Sequence, residues 1–375
     1  MNKVSCIIAI GLCSLFTGFK IVQKYDVDRL RTLYSSRDIK LWPKAFIDST
    51  LSEYEEIGAL PPMKFPEDNP YSDAKKELGK TLFFDPRLSV SGQIACASCH
   101  DSEIGWGDGR RVSYGHNRQQ GRRNAMTLLN VGYVDKLFWD GRAKSLEDQV
   151  HFPVEDSLEM NFHLSLAVDR ISKVNGYKTM FKEAFRDTII TDSNIRKAIA
   201  TYERTIVSES TKFDRFIEGE SDLYSDEEVL GLHLFRTKAR CINCHSGGYF
   251  SDNKFHNTGL TYYGRKYEDL GLYEVTGKKE DVGKFRTSSL REISRTEPFM
   301  HNGLFPHIQG VINMYNAGMP RPKRKPHQVN DTLFPETSPL LIKLNLSDYE
   351  KFCLLQFLET LESRNRREQV PELPK

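Results

Sequence analysis

Cys96-Ala97-Ser98-Cys99-His100 and Cys241-Ile242-Asn243-Cys244-His245 are two copies of one pattern, Cys-x-x-Cys-His, separated by residues 101–240. In this pattern both thiols bond to the vinyl groups of a porphyrin and the adjacent histidine ligates its iron, which is the attachment chemistry of c-type haem. The spacing has a mechanical reason. Thiols three residues apart on one helical turn reach two vinyls on one edge of the macrocycle, and the next side chain swings beneath the iron. Cys-x-x-Cys alone also serves zinc half-sites and redox dithiols. A histidine directly after the second cysteine, twice, points instead to two covalently bound haems.

The 375 residues divide most simply into two domains with one haem each. With 39% hydrophobic residues and a mean hydropathy of -0.52 the chain is polar, so porphyrin is expected to fill part of each interior. A net charge of +2 excludes a strongly basic nucleic-acid binder and leaves partner docking to local patches. Of the seven cysteines, four belong to the motifs and Cys6 and Cys13 to the amino-terminal segment. Only Cys353 remains, so no disulfide framework can form. Its apolar helical surroundings read as those of a small buried hydrophobe.

Residues 1–20 carry Lys3 and then an apolar stretch from Val4 to Phe19, short of the roughly 20 residues that span a bilayer comfortably. They read as a secretory signal, hence export to the periplasm. No small-x-small cleavage pattern precedes Lys20, so an uncleaved membrane anchor is the alternative. Residues 21–70 read as an arm packed across the first domain, helix-prone at first and then broken by Pro61, Pro62, Pro66 and Pro70. Residues 71–220 form the first haem domain and 221–375 the second, with the boundary at 219–222.

Within these units a helix starts near Ser72, others are expected over 165–174 and from 192 to about 218, and a glycine-rich charged loop fills 102–123. Ser225 with Glu228, and Ser347 with Glu350, are capping boxes ahead of apolar-periodic helices. Leu354, Phe357, Leu358 and Leu361 make the packing stripe of the last helix. No strand pattern of any length competes, and the basic segment 321–325 reads as a solvated loop.

The second axial position on each iron decides between electron transfer and chemistry. His116, in the loop Ser113-Tyr114-Gly115-His116, is close enough in sequence to fold back over the first haem, and equally reads as a surface residue. In the second domain Ile308, Val311, Ile312 and Tyr315 share one helical stripe, which aims Tyr315 at the core, while Met314 lies a step round the helix. Methionine raises a haem potential and tyrosinate lowers it, so the choice bears on mechanism. Ordinary core packing is the competing reading for Met314 and Met319.

Read together, these residues resemble the bacterial di-haem cytochrome c peroxidase family and its MauG-like relatives, from about Asn69 to the carboxyl terminus. The resemblance is carried by Leu78-Gly79-Lys80 with Leu82-Phe83-Phe84-Asp85-Pro86-Arg87-Leu88-Ser89, and by Phe138-Trp139-Asp140-Gly141-Arg142-Ala143 with Leu146, Gln149, Pro153, Glu159 and Met160. Phe285-Arg286-Thr287, Leu290-Arg291, Thr296, Pro298, His301 and Gly303 extend it into the second half. The fold class it implies is mostly α, two class I cytochrome c-like haem domains with long loops.

By resemblance, His100 is the proximal ligand of a peroxidatic haem, with Gln149 and Glu159 on its distal side. Trp139 lies between the haems as an electron conduit, and His245 is the proximal ligand of an electron-transfer haem. Asn124, Thr296 and Pro298 correspond to residues that hold calcium at the domain interface through oxygen atoms, which suits a hard cation. His116 matches a loop histidine that blocks the first iron in many members. An ungapped match from His301 puts Tyr315, as in MauG-like enzymes, where peroxidases have methionine, and Met126 replaces a usual proline.

The expected activity is reduction of hydrogen peroxide with electrons from a small periplasmic cytochrome c or cupredoxin, with Glu159 as acid and base and Gln149 orienting peroxide. Oxidative modification of a partner protein, as MauG-like relatives perform, is the second reading. A di-haem electron carrier is the third, although it leaves Gln149 and Glu159 without a purpose. Cofactors are two c-type haems and calcium; no nucleic acid is involved, and both monomer and homodimer stay open.

Overall fold

The computed structural model describes residues 25–364 and 367–375; the amino-terminal segment, with its signal or anchor reading, lies outside them. The protein is mostly helical with little sheet. Among the described residues the sheet is a pair of antiparallel strands, Phe255–His256 and Phe285–Arg286, with Phe255 opposite Arg286.

Each half uses the same device. A helix leads into the haem motif, and a later helix crosses it at a glycine. In the first half Asp73–Phe83, capped by Ser72, packs on Asp192–Glu203, and a Cβ on Gly79 would sit 1.9 Å from the Ala198 carbonyl oxygen. In the second half Asp226–Arg236 packs on Asp348–Glu359, and a Cβ on Gly231 would sit 2.0 Å from the Cys353 carbonyl oxygen. Only glycine lets the two backbones approach that closely. Both expected capping boxes form, Ser225 with Glu228 and Ser347 with Glu350.

Two large apolar clusters result among the described residues, beside a small one of Leu230, Leu234 and Cys353. One gathers Leu78, Leu82, Phe83, Ile171, Phe181, Ile195, Ile199 and Tyr202, the other Phe213, Phe216, Val229, Phe235, Phe250, Phe357 and Leu361. The arm does not lie across the first half alone, as expected. Its helix Val27–Tyr34 and Trp42 and Ile57 belong to the second cluster. The cause is Arg236, buried at 2% exposure, whose guanidinium bonds Glu56, the Tyr34 hydroxyl at 3.0 Å and the Pro43 carbonyl at 2.8 Å. A buried guanidinium needs every donor met, and the arm supplies the acceptors. Farther on, Asn69 reaches Glu147 and the Lys197 carbonyl in the first half. The carboxyl-terminal tail crosses the other way, with Arg87 donating to Pro374 and Lys80 pairing with Glu368.

The helix expected from 192 to about 218 is two, Asp192–Glu203 and Lys212–Ile217. Asn130 breaks it: its backbone N–H takes the Ile206 carbonyl at 2.8 Å and its side chain takes the Ser208 N–H at 2.9 Å. Thr211 then caps the second piece with Asp214. The helix expected over 165–174 runs Leu164–Ser172, and a further one, Asn175–Phe185, follows it. Segment 321–325 is mostly exposed, as a solvated loop should be.

Candidate active site

Both motifs fold alike. Cys96–Ser98 and Cys241–Asn243 are single 3-10 turns, which set the two thiols of each on one side. The following histidine then turns back on the chain: Nδ1 of His100 lies 3.0 Å from the Trp106 carbonyl, and Nδ1 of His245 lies 3.1 Å from the Phe250 carbonyl. An imidazole that donates Nδ1–H to a backbone carbonyl has its tautomer and orientation fixed, with Nε2 left for a metal. Burial lowers both imidazole pKa values, which favours the neutral, ligating form. All four thiols are free, as covalent attachment requires.

A cavity of about 880 Å³ joins the two motifs and is lined by Cys96, Cys99, His100, Cys241, Cys244 and His245. Its walls are largely apolar side chains. Paired thiols, an oriented imidazole and an apolar chamber on each side fit two haems held at these positions.

Around the first motif the cavity receives Gln149, the last residue of the helix Leu146–Gln149, and Glu159 from the turn after Asp156. Burial, helped by the nearby Asp156 carboxylate and opposed by Arg142, raises the Glu159 carboxyl to about 7. Its backbone carbonyl accepts the His116 N–H at 2.7 Å, which ties the glycine-containing loop to the same spot. His116 itself is half-buried and does not line the cavity.

Around the second motif the helix Ile308–Asn316 presents Tyr315 to the cavity, and Met314 is not among the lining residues. Burial raises the phenol pKa, with the Cys244 and Cys241 thiols adding to the effect. Met319 is buried, at 6% exposure, and continues the chain out of the helix. Phe46 and Asp48 of the arm hold this motif from outside through Asn243, which accepts the Asp48 N–H at 2.7 Å.

Trp139 stands at the seam of the halves. Its indole N–H donates to the Asn124 carbonyl at 2.9 Å, its carbonyl accepts the Arg286 N–H at 2.9 Å, and its ring meets His301 edge-on at 6.4 Å. The Asn124 N–H in turn donates to the His301 carbonyl at 2.8 Å. Arg123 clamps the same seam by pairing with Asp269 and Asp140. Asn124, Thr296 and Pro298 all reach the cavity wall here. The Asn124 amide nitrogen donates to the Arg110 carbonyl at 2.9 Å, and its side-chain oxygen accepts no hydrogen bond among the described residues. An amide oxygen left without a donor fits a hard cation.

Two cavity residues were passed over in the sequence as actors. His301, 3% exposed and stacked on Phe285 at 3.6 Å, is held near pKa 4 by burial. Glu203 is 4% exposed and lies one turn beyond Ile199 and two beyond Ile195. A carboxyl on an apolar helical stripe was the signal that marked it.

A family model described as di-haem cytochrome c peroxidase matches residues 73–222. The cytochrome-c peroxidase IdrP1 of Pseudomonas sp. (strain SCT) is 37% identical over 334 residues, covering 81% of this chain and 85% of that protein. The methylamine utilization protein MauG of Methylophilus methylotrophus is 34% identical over 312 residues, covering 82% of this chain and 88% of that one. Among solved structures, a MauG-like protein associated with microbial copper homeostasis superimposes with a TM-score of 0.72 at 31% identity, covering 85% of this chain and 96% of its own. With paired haem motifs opening on one chamber and relatives matched over most of their length, the chain belongs to the di-haem cytochrome c peroxidase family.

Proposed function

We propose that the protein reduces hydrogen peroxide to two waters, taking up two protons and two electrons, the electrons arriving singly from a small periplasmic cytochrome c or cupredoxin. The observation that carries this reading is Glu159, a carboxyl raised to about 7 in the same chamber as the first motif. Cys96, Cys99 and His100 would hold a haem, which would supply redox-active iron for O–O cleavage.

Glu159 takes the proton from the near oxygen of peroxide and returns it to the departing oxygen. One group serves both steps because its pKa lies near the working pH. Gln149 has amide donors and an acceptor but nothing to titrate, so it orients peroxide or water. The second site, Cys241, Cys244 and His245, is where the donor delivers electrons, and Trp139 is the conduit to the first. Tyr315, rather than Met314, occupies the distal side of that second site, and His116 belongs to the loop that governs access to the first.

The helix, motif and crossing helix of each half support two class I cytochrome c-like haem domains, 71–220 and 221–375. Calcium at Asn124, Thr296 and Pro298 holds the seam, and residues 1–20 direct export. Rapid-mixing absorption spectra of oxidised and half-reduced holoprotein with peroxide test the proposal. Inertness in both states would leave the di-haem carrier. Tyr315 favours one second reading, MauG-like oxidation of a partner protein, in which the oxidised protein reacts without prior reduction.

A further inference from the structure

Glu203 ends the helix Asp192–Glu203 on its apolar face, 4% exposed, and lines the cavity together with Cys96 and Ile199. Oε2 of its carboxyl is fully shielded and has no hydrogen-bond partner among the described residues. The neighbouring arginine does not rescue it: Arg204 turns away to clamp Glu147 at 2.6 and 2.9 Å. Burying a carboxyl without a partner is costly, and such groups concentrate where a protein uses their proton. The reading of Glu159 and Gln149 has no task for this one.

We propose that Glu203 is a proton-holding group coupled to the first haem, binding a proton from cavity water when that haem gains an electron and releasing it when the electron leaves. The exchange compensates charge inside a chamber of low dielectric, where an added electron is otherwise expensive. Glu203 would thus be a positioning residue for electron arrival, acting through a haem held at Cys96 and not on peroxide itself. Burial lifts its carboxyl to about 8, with Arg204 opposing and Glu147 reinforcing, so the proton is available near neutrality. The titratable and charged groups whose fields reach it are Tyr202 of its own helix, Arg204 at that helix's end, Glu147 from Leu146–Gln149 and Cys96 of the motif, which carries no charge once it is a thioether. Glu159, elsewhere on the cavity wall, also titrates near neutrality and must be separated from it.

The inference rests on haem being attached at Cys96 and Cys99, and haem content per chain checks that first. A chain without haem at this motif refutes the functional reading; the measurements below address Glu203 alone. In holoprotein, the reduction potential of the first haem is followed against pH by spectroelectrochemistry in Glu159→Gln and in Glu159→Gln/Glu203→Gln. The single variant should keep a potential that falls as pH rises towards 8, and the double variant should lose that dependence. Reduced-minus-oxidised infrared spectra should show a protonated-carboxyl band in the wild type and in Glu159→Gln that disappears in Glu203→Gln. Glu203→Leu, which removes the buried polar group altogether, serves as the second variant should the glutamine assemble poorly. A pH dependence and infrared band that survive both Glu203 variants overturn the proposal.

Discussion

Replacing Glu159 by glutamine isolates proton transfer from everything else in the first site. The side chain keeps its size, and among the described residues the Glu159 carboxyl makes no side-chain hydrogen bond that the amide would break. The bond that ties this residue to the access loop, from the His116 N–H, goes to the backbone carbonyl. Losing a general acid and base commonly costs about 10² to 10⁴ in rate, which is about 3 to 5 kcal/mol of barrier at roughly 1.4 kcal/mol per decade. The sign of the pH effect follows from the shift. Burial and Asp156 raise the carboxyl from 4.5 to about 7, so the carboxylate that accepts the first proton is depleted as pH falls below neutrality. In the wild type the second-order rate constant for peroxide should drop roughly tenfold per pH unit below about 6. In Glu159→Gln it should be low and flat across the same range, with both haems attached and the visible spectrum of the second unchanged. Rapid mixing with peroxide over pH 5 to 8 makes the measurement. A variant that reacts at the wild-type rate, or keeps the acid limb, removes Glu159 from the mechanism.

Tyr315→Phe should shift the ferric spectrum of one haem and leave the other unchanged, whereas Met314→Leu should do little, because only the tyrosine lines the cavity; a change confined to the Met314 variant reverses the assignment. Exhaustive calcium chelation should lower activity and thermal stability, and Asn124→Ala should reproduce the loss at about 1–3 kcal/mol, since it also abandons the Arg110 carbonyl. Metal analysis finding no calcium, with activity intact after chelation, would contradict that site. Gly79→Ala should destabilise the holoprotein by about 1–3 kcal/mol or more by driving a methyl into the Ala198 carbonyl, read by thermal unfolding; an unchanged melting temperature would mean the two helices can part without cost.

The haem motifs were legible because their chemistry is local: five consecutive residues hold both thiols and the imidazole on one turn. The same is true of Ser225 with Glu228 and Ser347 with Glu350, where a hydroxyl and a carboxylate three residues apart satisfy each other whatever the rest of the chain does. Helical phase and the match from His301 together pointed to Tyr315, and the helix turns it to the cavity wall with Ile308 and Ile312. Gly79 and Gly231 showed in the sequence only as glycines, and the carbonyls they approach come from residues more than a hundred positions away.

What the sequence by itself determined, then, were features whose partners lie within a turn or two of chain. What only the tertiary structure decided were features set by distant partners. Asn130 ends the helix at Glu203 by taking the backbone of Ile206 and Ser208. Buried Arg236 draws the arm onto the second half because its donors need Glu56, Tyr34 and Pro43. His116 is held by a backbone bond at the edge of the chamber, which no spacing rule could specify. Glu203 is the sharpest case, because its place on an apolar stripe was visible, but the lack of a partner for its Oε2 among the described residues is a property of the whole packed chamber.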